Sequence, residues 1–366
     1  MFIRYLHIHI IILLNLSLVA QQANSHMIYQ RFEGSSDTGE MKANFIRQND
    51  QISGNYEVAF PDSTVTYEVA GEVDTDNRTS LNPYGEETPA LEGVLVDDRF
   101  TGIWNYGAGM ERVELTELYP PGSIPLDVYY LHSEENLIAG HPETPSAEIE
   151  LTMTYPVVNR HVSPEVTGKI RQIIASHYTD KQEVTIPDSV LVAAEQDFYT
   201  LYGEMRSEDW EEMSALLNWS QENSMSVLYN SNGLLSLEYF NYVYTGGAHG
   251  LITIDHDIID LNTGSILTPD QIFREDYPEQ LSKLLTAQLR LDNDIPDSIS
   301  LTDAGYFVEK IDPTENIYVN GSGIGFSYAS YEIAPFSMGI PQVFLSYKQI
   351  KSLLRKGTPV WQLTLN

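Results

Sequence analysis

The sequence predicts an α+β protein: an N-terminal all-β meander or small barrel over residues 27–120, then a domain over residues 123–366 with helices on a largely antiparallel sheet. Three observations lead there. Between Met27 and about Leu118 there is no stretch of helical period, only short alternating runs separated by turn residues. Tyr119-Pro120-Pro121-Gly122 breaks that pattern and marks the boundary. Beyond it the elements run β-β-α-α-β-β-β-α-α-β-β-β-α-β, which is not the strict alternation of a parallel doubly wound sheet.

The first strands are read at Met41 to Gln48, Gln51 to Phe60, Val65 to Val73, Leu91 to Leu95 and Phe100 to Tyr106. Asp74 to Thr88 reads as a long polar loop turning at Asn82-Pro83-Tyr84-Gly85, and Gly107-Ala108-Gly109 as a connection. Phe100-Thr101-Gly102-Ile103-Trp104 repeats the spacing of Ile52-Ser53-Gly54-Asn55-Tyr56. A glycine inside each strand suits a close backbone approach or the bend of a small barrel.

In the second domain, Leu126 to Leu131 and Ala147 to Tyr155 read as strands around a loop at Glu134 to Pro145. Ser163-Pro164-Glu165 is an N-cap followed by proline in the first turn, and Val166, Ile170, Ile173, Ile174 and His177 share a helix face. Asp188 is read as the cap of a second helix with an apolar stripe from Val190 to Tyr202. The sheet follows at Met225 to Asn230, Leu234 to Tyr244 and Ile252 to Asp260, with Asn232-Gly233 as a hairpin turn. Helices return at Pro269 to Phe273 and Pro278 to Leu291, and strands at Ile317 to Val319, Gly325 to Tyr328 and Gln342 to Leu345. A helix from Tyr347 to Leu354, capped by Ser346 and closed by Gly357, leads to a last strand at Val360 to Leu365.

Residues 1–25 read as a secretory signal: Arg4 precedes an apolar core from Ile8 to Ala20, with Ala23-Asn24-Ser25 as the cleavage site and Ala20 as the other cut. An uncleaved anchor is disfavoured, because His9, Asn15 and Ser17 interrupt a run already shorter than the ~20 residues that span a bilayer. No later run is long enough to cross a membrane. With no cysteine, the chain has no disulfide, thiolate metal site or lipidated Cys, which points to a bacterial protein, periplasmic or secreted, that relies on its core.

A net charge of -32 repels a phosphate backbone and excludes nucleic acid as a partner. Such a surface could steer basic proteins, although generic solubility explains the charge more simply.

Chemistry has few anchors. His249 and His256, with Asp255 and Asp257, lack the helical spacing of a zincin, and in a strand His256 points away from both aspartates. Gly246-Gly247-Ala248-His249-Gly250 has no Lys and opens no helix, so it reads as a tight turn flanked by Tyr242 and Tyr244. There is no nucleophile elbow, and Asp292-Asn293-Asp294 lacks the glycine and glutamate of a calcium loop. No cofactor, metal or catalytic residue is assigned. The segment Tyr328, Tyr331, Glu332, Pro335, Phe336, Met338 and Pro341 reads either as a buried crossover or as an aromatic recognition surface.

Tyr244-Thr245-Gly246-Gly247-Ala248-His249-Gly250, with Tyr331-Glu332-Ile333-Ala334-Pro335-Phe336-Ser337-Met338-Gly339-Ile340-Pro341, resembles the extracellular C-terminal domain of the RsiV family of lysozyme-sensing anti-sigma factors. Residues from about Leu126 to Leu354 resemble its full arrangement, a PdaC-type segment leading into the RsiV-like domain. The resemblance implies an exported, non-catalytic binding module whose ligand is a basic protein such as lysozyme, or else peptidoglycan. The apolar segment begins at Ile8, so no cytoplasmic sigma-binding domain is expected before it. Tyr244, His249, Tyr328, Tyr331 and Glu332 are the expected binding residues, and a carbohydrate-active or metal-dependent hydrolase using His249 and His256 is the alternative.

Overall fold

A computed structural model describes residues 27–84, 90–107, 109–205 and 210–365, so residues 1–25, read above as a secretory signal, lie outside the described residues. Eight antiparallel strands open the chain: β1 Met27–Ser35, β2 Glu40–Gln48, β3 Gln51–Phe60, β4 Ser63–Val73, β5 Arg78–Pro83, β6 Leu91–Val96, β7 Arg99–Asn105 and β8 Met110–Glu117. They close into a barrel through β1 and β8. The barrel interior is filled by side chains, among them Phe32, Phe45, Leu81, Phe100 and Trp104, as expected for eight strands. Trp104 Nε1 donates to the Tyr56 hydroxyl at 3.1 Å, which gives the one polar edge of the indole a partner inside the core.

Gly54 is needed at its bend. Its φ is 149°, and a Cβ there would lie 1.9 Å from the Asn44 carbonyl oxygen on the neighbouring strand. Three strands differ from the sequence reading. The long loop at Asp74 to Thr88 contains β5, which buries only Thr79 and Leu81 and is recruited by barrel closure rather than by its own apolar content. β1 and β8 were likewise not among the expected strands; β1 buries Tyr29, Arg31 and Phe32, a pattern without clean alternation because both of its faces are covered.

A six-stranded sheet follows, in the order β14-β13-β12-β11-β10-β9. Its strands are β9 Leu126–Asn136, β10 Ser146–Pro156, β11 Trp219–Ser231, β12 Leu234–Tyr244, β13 Leu251–Asp260 and β14 Ser265–Ile266. All neighbours are antiparallel except β10 and β11, whose parallel pairing requires a crossover. α1 (Pro164–Ser176) and α2 (Pro187–Glu204) supply it and pack Ile170, Ile174, Val190 and Phe198 over Ile149, Leu151 and Met153. Ser163 caps α1, its hydroxyl accepting from Val166 N at 3.2 Å. Asp188 does not cap α2: Ile186 takes that position because Pro187 occupies the first turn, leaving Asp188 to act only as a charge near the positive helix end.

The last third packs α3 (Pro269–Ile272) and α4 (Tyr277–Asp292) against an antiparallel sheet of β15 (Ile317–Val319), β16 (Gly323–Ser327) and β17 (Gln342–Ser346). The helix expected over 347–354 is α5, Tyr347–Ile350, continued by turns. The expected final strand is instead α6, Pro359–Gln362, and a 3₁₀ turn: Thr358 accepts from Trp361 N at 3.2 Å and Pro359 sits in the first turn, a helix-start signature. Among the described residues no helix is long and apolar enough to cross a membrane.

Barrel and sheet are clasped by a buried polar network. Arg31, 1% exposed, donates from Nε to the Asn230 carbonyl (2.6 Å), from Nη1 to the Leu118 carbonyl (2.6 Å), and from Nη2 to Glu33 (2.5 Å) and Ser231 Oγ (3.2 Å). Asn230 Nδ2 donates to the Tyr29 hydroxyl, which donates to Asn44, while Asn55 Nδ2 reaches the Val227 carbonyl. A register shift in β11 between Val227 and Tyr229 bends the strand where it meets the barrel.

Candidate binding site

The two motifs singled out in the sequence meet in space. After Tyr244 the chain turns through Gly246 and Gly247, at φ of 91° and 106°, and re-enters the sheet at Leu251. A Cβ on Gly246 would sit 2.5 Å from the Leu216 carbonyl oxygen, so the turn passes tightly over the segment before β11. The Tyr244 hydroxyl donates to the Gly247 carbonyl at 3.0 Å and locks the loop. His249 donates from Nδ1 to the Gly250 carbonyl at 2.9 Å, which fixes its ring.

The second motif lies across that ring. Phe336 stacks on His249 at 4.2 Å and 18°, and Tyr331 lies 6.0 Å from Phe336 at 24°. Tyr331 has φ of 67°, a conformation a bulky side chain rarely adopts, and is 53% exposed. Glu332 stays at the surface and accepts from Ala329 N at 2.8 Å, closing the turn that holds Tyr331. Phe336 joins the two halves; it lay within the aromatic segment but outside the five expected residues. Tyr328 is placed differently from the other four: it is buried, its hydroxyl donating to the Asp312 carbonyl at 2.8 Å, so it supports the loop from within the core. Beside the loop, a cleft of about 230 Å³ is lined by Ile295, Pro296, Ile299, Tyr306 and Met338.

His256 occupies other surroundings. It is buried, with Nδ1 2.9 Å from Asn316 Oδ1 and Nε2 3.2 Å from Glu238. Asp257, on the opposite face, pairs with His177. His249 and His256 thus share no partner, and among the described residues no three His, Asp or Glu side chains gather as they would to hold a metal.

Electrostatics are dominated by crowded carboxylates. Glu68 on β4 reaches water but is hemmed in by the seam between barrel and sheet; desolvation and the charge of Glu238 push its carboxyl up to about 7. Glu222 lies in register with Glu150 across the parallel pair, and burial together with that like charge raises it to about 7 as well. Burial also raises Glu57, although Lys42 opposes the shift from 3.6 Å.

Two family models match. Residues 143–252 match the model described as Deacetylase PdaC, and residues 270–348 match Protein of unknown function (DUF3298). Comparison with curated proteins gave no match. A crystal structure of a DUF3298 family member from Bacteroides fragilis is similar, at 24% identity and a TM-score of 0.61, over 67% of this chain and 100% of that one. A DUF3298 family protein from Pseudomonas aeruginosa aligns at 17% identity and a TM-score of 0.47, over 63% of this chain and 95% of its own. The chain therefore carries a PdaC-type segment followed by a DUF3298 segment, in an α+β fold shared with the Bacteroides fragilis protein.

Proposed function

We propose that this chain is an exported, non-catalytic binding protein of the bacterial cell envelope that captures a basic partner such as lysozyme, with peptidoglycan as the other ligand its chemistry suits. The observation that carries the reading is the ring stack of His249, Phe336 and Tyr331, with Tyr331 held outward in a strained conformation beside Glu332. A rigid exposed aromatic offers contact area at small entropic cost, and a neighbouring carboxylate favours a cationic partner. The net charge of -32 and the resemblance of both motifs to the RsiV family support the same reading. The alternative, a hydrolase using His249 and His256, draws no support from the separate surroundings of the two rings.

Calorimetric titration with a c-type lysozyme at low and moderate salt tests it. The expected result is saturable, salt-weakened binding, reduced about thirtyfold by Tyr331→Ala, the ~2 kcal/mol of an aromatic anchor. No heat at either salt, together with no retention on peptidoglycan, overturns the proposal.

A further inference from the structure

The cleft beside the aromatic loop bears on what a captured partner presents, and in that respect rests on the function proposed above. Its walls come from the stretch between α4 and β15 and from Met338. Ile295, Pro296, Ile299 and Tyr306 form the first of these walls, and Ile299 is 41% exposed, an aliphatic side chain left against water. Met338 ends the short 3₁₀ turn that begins at Phe336, so the other wall is continuous with the stack of His249, Phe336 and Tyr331. The Phe307 N–H donates to the Ile333 carbonyl at 2.8 Å, which ties the two segments together a second time.

The first wall is held in place by its own hydrogen bonds. Arg290, in the last turn of α4, donates from Nη1 to the carbonyls of Pro296 (3.2 Å) and Ile299 (2.8 Å), and the Ile295 N–H donates to the Arg290 carbonyl at 2.9 Å. A preset wall loses little entropy when a guest arrives, while the unbranched thioether of Met338 adapts to guests of different shape. At about 230 Å³ the space falls below the ~300–1,000 Å³ that enclose a drug-sized ligand, so it suits one side chain rather than a cofactor. Charge narrows the choice further. Asp294 and Asp303 stand exposed at the rim, and the whole stretch 291–309 adds Asp292, Asp297 and Glu309 without one Lys or Arg. On either side of that stretch, Arg290 is committed to backbone carbonyls and Lys310 to Asp312 at 2.7 Å. An apolar hole with an acidic rim matches an apolar side chain that has basic neighbours.

We propose that this cleft is the anchor pocket for a single apolar side chain of a polypeptide, flanked in that polypeptide by Lys or Arg that face Asp294 and Asp303. The apolar side chain gains by leaving water, and the flanking cations gain from the rim and select which polypeptides approach. Because Met338 and the aromatic stack share one segment, a partner seated in the cleft also meets Tyr331.

The test follows the Met338 methyl signal by NMR in the full chain, labelled at the methionine methyls and assigned with Met338→Leu. The probes are acetyl-Lys-Lys-Leu-Lys-Lys-amide, the same peptide with Ser in place of Leu, the same peptide with Glu in place of every Lys, and triacetylchitotriose. The leucine peptide should shift the signal saturably with a Kd of about 0.1–1 mM, the serine peptide should bind about tenfold or more weakly, and the other two should leave the signal unmoved. Ile299→Lys, at an exposed position where folding is not at stake, should weaken the leucine peptide about tenfold or more, and Asp294→Asn/Asp303→Asn about two- to fivefold. No shift with the leucine peptide, or an equal Kd for the serine peptide, overturns the anchor pocket. Equal binding of the glutamate peptide overturns the cationic partner, equal binding of the chitotriose overturns the polypeptide, and unchanged affinity in both variants overturns the assignment of residues. Calorimetry with a c-type lysozyme keeps the two proposals apart. A chain that takes the leucine peptide but not lysozyme supports the cleft and removes lysozyme as its partner, whereas lysozyme binding that Ile299→Lys leaves unchanged overturns the cleft as part of the capture surface.

Discussion

Replacing Arg31 by Met should uncouple the barrel from the sheet. The side chain is almost wholly buried and donates four hydrogen bonds, two of them to carbonyls of Leu118 and Asn230 on different parts of the fold. Met fills a similar volume and donates none, so both carbonyls lose a partner and Glu33, 27% exposed, loses its counter-charge. Removing one partner of a buried pair costs about 3–5 kcal/mol, and the exposure of Glu33 places the expected loss at the lower end, about 3 kcal/mol. Urea unfolding is followed by far-UV circular dichroism and by tryptophan fluorescence, to which Trp104 contributes from the barrel core. The two signals should coincide in the parent protein and separate in Arg31→Met, because the barrel then melts apart from the sheet. Arg31→Met/Glu33→Gln should recover part of the loss, since the second change removes the orphaned charge. A loss under ~1 kcal/mol with coincident transitions would refute the clasp.

Gly54→Ala should destabilise the barrel by about 2 kcal/mol or more, read as a lowered thermal midpoint, because the new methyl meets the Asn44 carbonyl and the φ of 149° is unfavourable for it. Glu222 gives a pH prediction. Its carboxyl titrates near 7 in the folded protein against 4.5 when free, so between those values the native state holds a proton the unfolded chain has lost, and stability falls as pH rises. The full shift corresponds to ~3 kcal/mol, which water reaching this half-buried side chain reduces to about 1 kcal/mol. Glu222→Gln should therefore be more stable than the parent by about that amount at pH 8 and equal to it below pH 4.5, measured by urea titration at each pH.

Most of this architecture can be read from local pattern. Ser163-Pro164-Glu165 and Asn232-Gly233 specify a helix start and a hairpin by their own backbone chemistry, and both form as expected, with Asn232 and Gly233 at φ of 54° and 79°. The elements that escaped depend on distant partners. β5 has too few apolar residues to declare itself and exists because β4 and β6 flank it. Arg31 reads as a surface charge until the Asn230 carbonyl, 199 residues away, is seen against it. At the candidate site, the glycine turn and the aromatic segment were each visible, but only the fold lays Phe336 on His249 and separates buried Tyr328 from exposed Tyr331.

The outer position of β9 bears on self-association. A closed barrel has no rim, but β9 pairs with β10 on one side only and leaves the other as a template for a further strand. If two copies joined there antiparallel about the strand centre, Asp127 would face Glu135 of its counterpart, or Glu134 after a slip of one residue toward the start of the strand. Like charges set directly opposite one another disfavour both arrangements at neutral pH, and the symmetry of the pair imposes the clash twice. The unpaired side of β9 is thus guarded by the spacing of three acids, Asp127, Glu134 and Glu135, with β1 of the barrel packed against the same strand.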